Sequence, residues 1–282
     1  MDNSNLGTRM KEYEKRNQYY LQKRTPVAIR VDGRSFHTFT KGFQRPFDDI
    51  LIKTMQETAK YMCENMGNAK FAYVQSDEIT IILVDYDTLE TDCWFNYRTD
   101  KLCSISASMT TMAFNKYFEK NVREYSYIHY GQLSTIRLTD TYNRAIDKGA
   151  MFDARCFNIP KEEVTNLIYW RQLDASRNSI QMVGQANFSH KELQNKSCND
   201  IQDMLMLQKN INWNDFPTYQ KRGSCIVKSD RNETITEDNI GTDGSVIGTK
   251  MTIRSKWIID KEMPILKGED RAYIDNLIYI GE

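Results

Sequence analysis

Val27-Ala28-Ile29-Arg30-Val31-Asp32-Gly33 is the stretch on which the fold turns, and it is read together with Gln75-Ser76-Asp77-Glu78-Ile79. The first is an apolar run broken by Asp-Gly, as a buried strand ending in a tight turn would be. The second lies between two β-prone runs, Phe71–Gln75 and Ile79–Val84, and reads as a hairpin tip that carries two carboxylates. Between them, Phe47 to Met66 has apolar residues at Ile50, Leu51, Met55, Ala59 and Met62, mostly three or four apart, which predicts a helix. The order is β-α-β-β. In such a sheet the first strand lies beside the hairpin, so the Asp32 end and the Asp77 tip meet at one edge.

Two carboxylates converging from a strand end and a hairpin tip suit a pair of Mg²⁺ ions. Each half alone has a plain reading, a turn for Asp-Gly and a solvated tip for Ser-Asp-Glu. Together they predict an α+β chain built on a polymerase/cyclase-like palm. That palm is a ferredoxin-like antiparallel sheet with helices on one face, followed by a C-terminal region of helices and strands.

The 282 residues are enough for one large domain or two modest ones. A hydrophobic share of 40%, a charged share of 27% and zero net charge fit a globular chain, and any nucleic-acid site must then be a local patch. Six scattered cysteines without a C-x-x-C, with only three histidines, argue against a zinc site and for reduced thiols. No run reaches transmembrane length and no apolar core follows a basic start, so no membrane is expected and the default location is cytoplasmic.

Further along, residues 9 to 24 read as a basic amphipathic helix packed on the palm, or as one touching phosphate. Lys101 to Phe118 reads as a buried helix rich in small residues, whereas 119 to 149 show no usable periodicity. Met151 to Ile159 alternates as a strand and stops at Pro160. Lys161-Glu162-Glu163 then opens a long helix to about Asn187, with acids where the helix dipole favours them. Trp170, Arg171, Asp174, Arg177 and Asn178 lie along it. An aromatic and two guanidiniums on one helix suit RNA stacking and phosphate contact, and suit equally an ion-pair network with Asp153 and Arg155. A short helix is expected at 200–208, a strand at Cys225–Lys228, a polar glycine-rich connection at 231–250, and a strand at 251–260. The expected division is 1–135 for the palm, 136–230 for a C-terminal domain with the long helix, and 231–282 for an extension.

Arg30-Val31-Asp32-Gly33-Arg34-Ser35-Phe36-His37, Gln75-Ser76-Asp77-Glu78, and Tyr169-Trp170-Arg171-Gln172 with Asp174 together resemble the signature set of the tRNA-histidine guanylyltransferase family. The chain is most similar to that family's guanylyltransferase-like branch of 3′→5′ polymerases, from about Arg9 to about Lys228. The resemblance implies a nucleotidyltransferase that acts on the 5′ end of tRNA, with two Mg²⁺ ions, GTP or another NTP, and ATP as the activating nucleotide. It implies Asp32 and Asp77 as metal-holding catalytic acids, the Gly33 carbonyl as a further ligand, and Glu78 completing or orienting the site. Nucleotide contacts are implied from Asp32, Gly33, Arg34, Ser35, Phe36 and His37, and from Ser76 and Asp77. Arg45 stands where the family usually has a lysine before proline, and a guanidinium fork can grip a triphosphate there. His37 as a general base is the alternative to a packed or phosphate-facing histidine. RNA contacts are implied for Lys101, Arg155, Trp170, Arg171, Arg177, Asn178, Lys221 and Arg222. A homotetramer is the family's usual assembly.

One departure bears on specificity. Family members that add a single guanosine to histidine tRNA carry His-Ile-Asn-Asn shortly after the Trp-Arg-Gln segment. Here the corresponding place reads Ser176-Arg177-Asn178-Ser179. That favours repair of 5′-truncated tRNAs over dedicated guanosine addition. A nucleotide cyclase is the competing enzyme class, but the tip lacks Gly-Gly before its acids. A non-catalytic RNA-binding protein is the third reading, against which stands the full set of expected acids.

Overall fold

The computed structural model describes residues 4–229, 233–240 and 246–281. Helix α1 (Asn5–Lys15) is capped by the Ser4 hydroxyl, which accepts from the Gly7 N–H, and buries no side chain. The expected basic helix is therefore shorter than 9–24 and is not packed on the sheet. Strand β1 (Val27–Gly33) leads into a single helical turn, α2 (Phe36–Phe39). Helix α3 (Asp49–Asn65) starts at Asp48, whose carboxylate accepts from the Leu51 N–H at 2.9 Å. The hairpin of β2 (Ala69–Gln75) and β3 (Glu78–Leu83) follows.

Helix α4 (Thr99–Ile128) runs ten residues beyond its expected end. With α5 (Leu133–Lys148) it forms a helical pair from the segment that showed no periodicity. Strand β4 (Phe152–Asn158) and the 27-residue α6 (Lys161–Asn187) come next, as their sequence signals predict. Then come α7 (His190–Leu193) and α8 (Cys198–Lys209), each opened by a capping box from Ser189 with Glu192 and from Ser197 with Asp200. A turn of helix, α9 (Thr218–Arg222), precedes β5 (Ser224–Lys228).

The region expected as an irregular connection at 231–250 contains strand β6 (Glu233–Ile240), paired antiparallel with β7 (Val246–Arg254). Residues 230–232 and 241–245 lie outside the described residues. The expected strand at 251–260 is split: its first part belongs to β7, and β8 (Trp257–Asp260) joins the main sheet. Helix α10 (Ala272–Ile278), which no sequence signal announced, closes the chain.

The main sheet is antiparallel throughout, in the order β4-β1-β3-β2-β5-β8. It draws strands from both sides of the boundaries expected at 135 and 230, which fall between parts of one sheet. Alternation along the strands sorts their side chains onto two faces. Val27, Ile29, Val31, Ile79 and Ile81 pack with Met55, Met62, Phe114 and Phe118 of α3 and α4, the helical layer expected for a palm. Ala28, Phe71, Tyr73 and Ile82 face the other way and are covered by Val164 and Ile168 of α6 and by Ile274 and Ile278 of α10. A third cluster, with Ile180, Val183, Leu205 and Trp213, joins the far end of α6 to α8. Among the described residues no helix is long and apolar enough to cross a membrane.

Candidate active site

β1 pairs with β3 so that Asp32 faces Glu78, the last rung before the tip. One residue on, the Gly33 N–H donates to the Asp77 carbonyl at 3.2 Å. Ser76, with φ of 48°, supplies the left-handed residue that lets two residues join β2 to β3. Its hydroxyl donates to Asp77 Oδ1 at 3.0 Å. The expected convergence of Asp32 and Asp77 is therefore made by the backbone ladder. Gly33 matters for space: a Cβ there would lie 2.3 Å from the Phe36 ring and 3.0 Å from Asp77 Cβ.

Both acids open into a cleft of about 640 Å³. Its lining includes Gly33, Ser35 and His37, then Lys41, Gln44 and Arg45, and Met182 and Gln185 of α6. Burial pushes the Asp77 carboxyl above the usual range, opposed by the Ser76 hydrogen bond and reinforced by the negative charge of Asp32. Among the described residues no group of three or more His, Cys, Asp or Glu side chains is arranged around a metal position. The donor set is instead two carboxylates whose charges oppose each other in a half-buried cleft. That fits Mg²⁺, which commonly takes one or two carboxylates and fills its shell with water and substrate phosphates.

The loop after β1 is more selective than the sequence implied. The amides of Gly33 and Arg34 are already engaged, the latter with the Met151 carbonyl at 2.9 Å, and the Arg34 side chain does not line the cleft. The N–H groups at the start of α2 remain for phosphate. The Phe36 side chain is core, its ring 5.1 to 5.6 Å from those of Phe39, Phe114 and Phe152. Any contact it makes with a nucleotide is through the main chain. Arg45 is exposed and makes no ion pair among the described residues, so its guanidinium is free to meet a triphosphate.

Glu78 does not point its charge into the cleft unpaired. Arg171 donates to it through Nε at 2.7 Å and to Asp174 at 2.9 Å, and Arg30 stands 3.9 Å away. Burial raises the Glu78 carboxyl while Arg171 and Arg30 pull it down. Arg171 is only 8% exposed. It is a structural strut between α6 and β3, which corrects its expected contact with RNA. Trp170 keeps one ring face toward Arg171 and Arg30, with centroid distances of 4.7 and 5.9 Å, and is 53% exposed.

The other expected RNA residues divide. Arg155 leans toward Asp153 and Asp32, at 3.6 and 3.9 Å, along the edge of the acid centre. Arg177 is exposed and pairs with Asp174, while Asn178 lines a small pocket of about 80 Å³ beside Gln75 and Ser76. Lys101 is exposed, its ammonium 5.4 Å from the Phe95 ring centroid. Lys221 is a correction: it is buried, its Nζ donating to the Asn214 carbonyl at 2.6 Å. The Arg222 carbonyl accepts from the Tyr73 hydroxyl, which ties that turn to β2. The sequence reading missed Lys41, Met182 and Gln185. The latter two follow Arg171, Asp174 and Asn178 at helical spacing, so extending that stripe would have reached them.

A model of the family described as Thg1, tRNAHis guanylyltransferase, matches residues 7–160. Among solved structures, a bacterial tRNA(His) guanylyltransferase (Thg1)-like protein in complex with ATP is similar at 40% identity and a TM-score of 0.77, covering 98% of this chain and 100% of that one. A bacterial Thg1-like protein in complex with GTP is similar at 37% identity and a TM-score of 0.72, with the same coverage. The tRNA(His) guanylyltransferase of Saccharomyces cerevisiae is 26% identical over 220 residues, 72% of this chain and 82% of the yeast protein.

Proposed function

Because the chain belongs to the tRNAHis guanylyltransferase family, and is thereby a nucleotidyltransferase, we propose that it repairs 5′-truncated tRNAs by templated addition in the 3′→5′ direction. The RNA 5′-phosphate first attacks the α-phosphorus of a nucleoside triphosphate, ATP in this reading, and pyrophosphate leaves. The 3′-hydroxyl of an incoming NTP then attacks the activated phosphate, and the activating nucleotide leaves. Each step is phosphoryl transfer, in which the protein's work is positioning and charge neutralisation. Asp32 and Asp77, with the Gly33 carbonyl, are the groups that would hold two Mg²⁺ ions; bound there, the ions offset phosphate charge and orient attacking and leaving oxygens. Arg45 takes the triphosphate in the cleft, and the amides at the start of α2 donate to its oxygens. Glu78, clamped by Arg171, holds the tip in place.

One observation carries the repair reading. Arg177 stands exposed on α6, paired with Asp174 and next to Asn178 at the pocket beside Ser76, in the segment Ser176-Arg177-Asn178-Ser179 where the resemblance gives dedicated guanosine adders His-Ile-Asn-Asn. On a backbone-facing helix arginine more readily grips phosphate, or stacks, than chooses among tRNAs, and pairing with the opposite acceptor strand can then select the nucleotide. The ATP and GTP complexes of the bacterial Thg1-like proteins support a cleft that accepts more than one nucleotide.

The test is a panel of 5′-truncated tRNAs with different anticodons and template bases, assayed with each of the four NTPs and Mg²⁺. Extension by the complementary nucleotide on every member is expected. Product only with a histidine anticodon, or guanosine whatever the opposing base, replaces this reading with dedicated guanylyltransfer.

A further inference from the structure

A second cleft, of about 630 Å³, lies between the α2 turn and α5. Its charged lining is uniformly basic: Lys41, Arg137, Arg144 and Lys148. The three α5 cations fall at i, i+7 and i+11, with Thr141 at i+4, so they form one stripe on the helix. Eleven residues of helix rise about 16 Å. That is long enough to meet several phosphates of a duplex strand, which follow at roughly 3.4 Å of axis each.

Three features set this stripe apart from ordinary solvated charge. All four cations are exposed, and none makes an ion pair among the described residues. Among the described residues the Arg144 guanidinium donates only to the Asp140 carbonyl and the Thr141 hydroxyl, at 3.3 and 3.1 Å. The α5 carboxylates Asp140 and Asp147 lie outside the cleft lining. On α3 and α4, by contrast, Lys53, Lys120 and Arg123 are each matched to a glutamate. In a chain of zero net charge, four unmatched cations in one concavity amount to a strong local positive field.

The orientation of the stripe is fixed. On the opposite side of α5, buried Tyr142 donates its hydroxyl to Asp48 at 2.7 Å, pinning the helix to the start of α3. Lys41 lines both this cleft and the one containing Asp32 and Asp77, so the two lie side by side.

We propose that the α2–α5 cleft is a phosphate track that holds the backbone of the RNA substrate beside the reaction centre. The assignment rests on the tRNA reading of the preceding subsection. The track carries affinity and placement without base readout, as phosphate contacts do.

The experiment compares wild-type protein with Arg137→Gln/Arg144→Gln/Lys148→Gln. A control, Lys53→Gln/Lys120→Gln/Arg123→Gln, changes net charge equally at the paired sites. Exposed helical positions tolerate glutamine, and circular dichroism melts of all three proteins check folding. Binding of a 5′-truncated tRNA is measured by fluorescence anisotropy from 50 to 200 mM salt, and ATP and GTP binding is measured in parallel.

The track variant is expected to bind tRNA about tenfold more weakly or worse, with a salt slope shallower by roughly 0.9 per lost contact. Nucleotide affinity should be unchanged, and the control should bind nearly as wild type. Equal loss in the control makes the effect one of net charge and overturns the track. Loss of nucleotide rather than tRNA affinity makes the cleft a triphosphate subsite and overturns it as well. If wild type extends truncated tRNA but the track variant binds as tightly, with the same slope, the track alone falls. If wild type neither binds nor extends tRNA, the function reading falls and takes the track with it.

Discussion

Arg171 on α6 reaches Glu78 on β3 at 2.7 Å, joining two residues 93 positions apart in the chain, with both side chains nearly closed off from water. This contact fastens the long helix that walls the cleft to the strand that follows the acidic tip. Removing the guanidinium leaves a buried carboxylate facing only the more distant Arg30. Arg171→Met is expected to cost about 3–5 kcal/mol, the usual penalty for breaking a buried pair from one side. Glu78→Gln in the same background should recover part of it. Urea unfolding of the two variants measures both; a loss below about 1 kcal/mol would show that the pair does not brace the site.

Asp32→Ala and Asp77→Ala are each expected to abolish nucleotide addition to truncated tRNA. Folding and most tRNA affinity should survive, because the acids hold metal in this reading while phosphate contacts elsewhere hold RNA. Incorporation of labelled NTP, read beside a melting curve and a binding isotherm, separates the outcomes. More than a trace of activity in either variant would remove that carboxylate from the metal centre.

Arg45→Ala should raise the apparent KM for NTP by about tenfold or more, in line with loss of a charge-assisted contact of roughly 1.5–3 kcal/mol. Its effect on tRNA binding should be small. Equal losses in both measurements would place this guanidinium on the RNA.

Asp48, a third carboxylate on the lining of the same cleft, gives a pH test of its own. Its carboxylate accepts from the Leu51 and Gln44 amides and from Tyr142, yet burial, the largest influence, lifts its pKa above the ordinary aspartate value. The folded state then holds this proton more tightly than the unfolded one. Its contribution to stability is greatest below the unfolded pKa, near 3.8, and declines as pH rises through the raised folded value. Asp48→Asn keeps a capping oxygen and should flatten that decline, whereas Asp48→Ala should cost about 1–2 kcal/mol for the lost cap. Denaturation midpoints across pH 3 to 7 test this, and an unchanged slope in Asp48→Asn would assign the decline to other groups.

The first strand, the tip and α6 were legible because each is local: alternation with a sharp turn, or an apolar period opened by Pro160 and two glutamates. The continuation of α4 and the existence of α5 were not. Beyond Phe118, helix α4 buries Asn121, whose amide N–H groups donate to Thr54 and Glu57. A polar side chain buried in a core looks like a surface residue in the sequence. The helical layer formed by α6 and α10 had a signal that went unread: Ile79-Thr80-Ile81-Ile82-Leu83 is buried at every position, as only a strand covered on both faces would be. At the site, the acids were legible but the role of Arg171 was not, since its partner is distant in sequence and only the folded chain brings them together.

The ladder between β1 and β3 sets what kind of change the acid centre can absorb. The spacing of Asp32 and Asp77 is carried by main-chain bonds, the Gly33 amide to the Asp77 carbonyl and the rung between Asp32 and Glu78. Main-chain bonds are indifferent to which side chains flank them, so the strands can drift in composition so long as they stay apolar. A single inserted or deleted residue is another matter. It would slip the register by one and turn Asp32 to the opposite face of the sheet. The centre is thus tolerant of substitution and intolerant of indels, and divergence between homologues should accumulate as replaced letters between Val27 and Leu83 at fixed strand lengths.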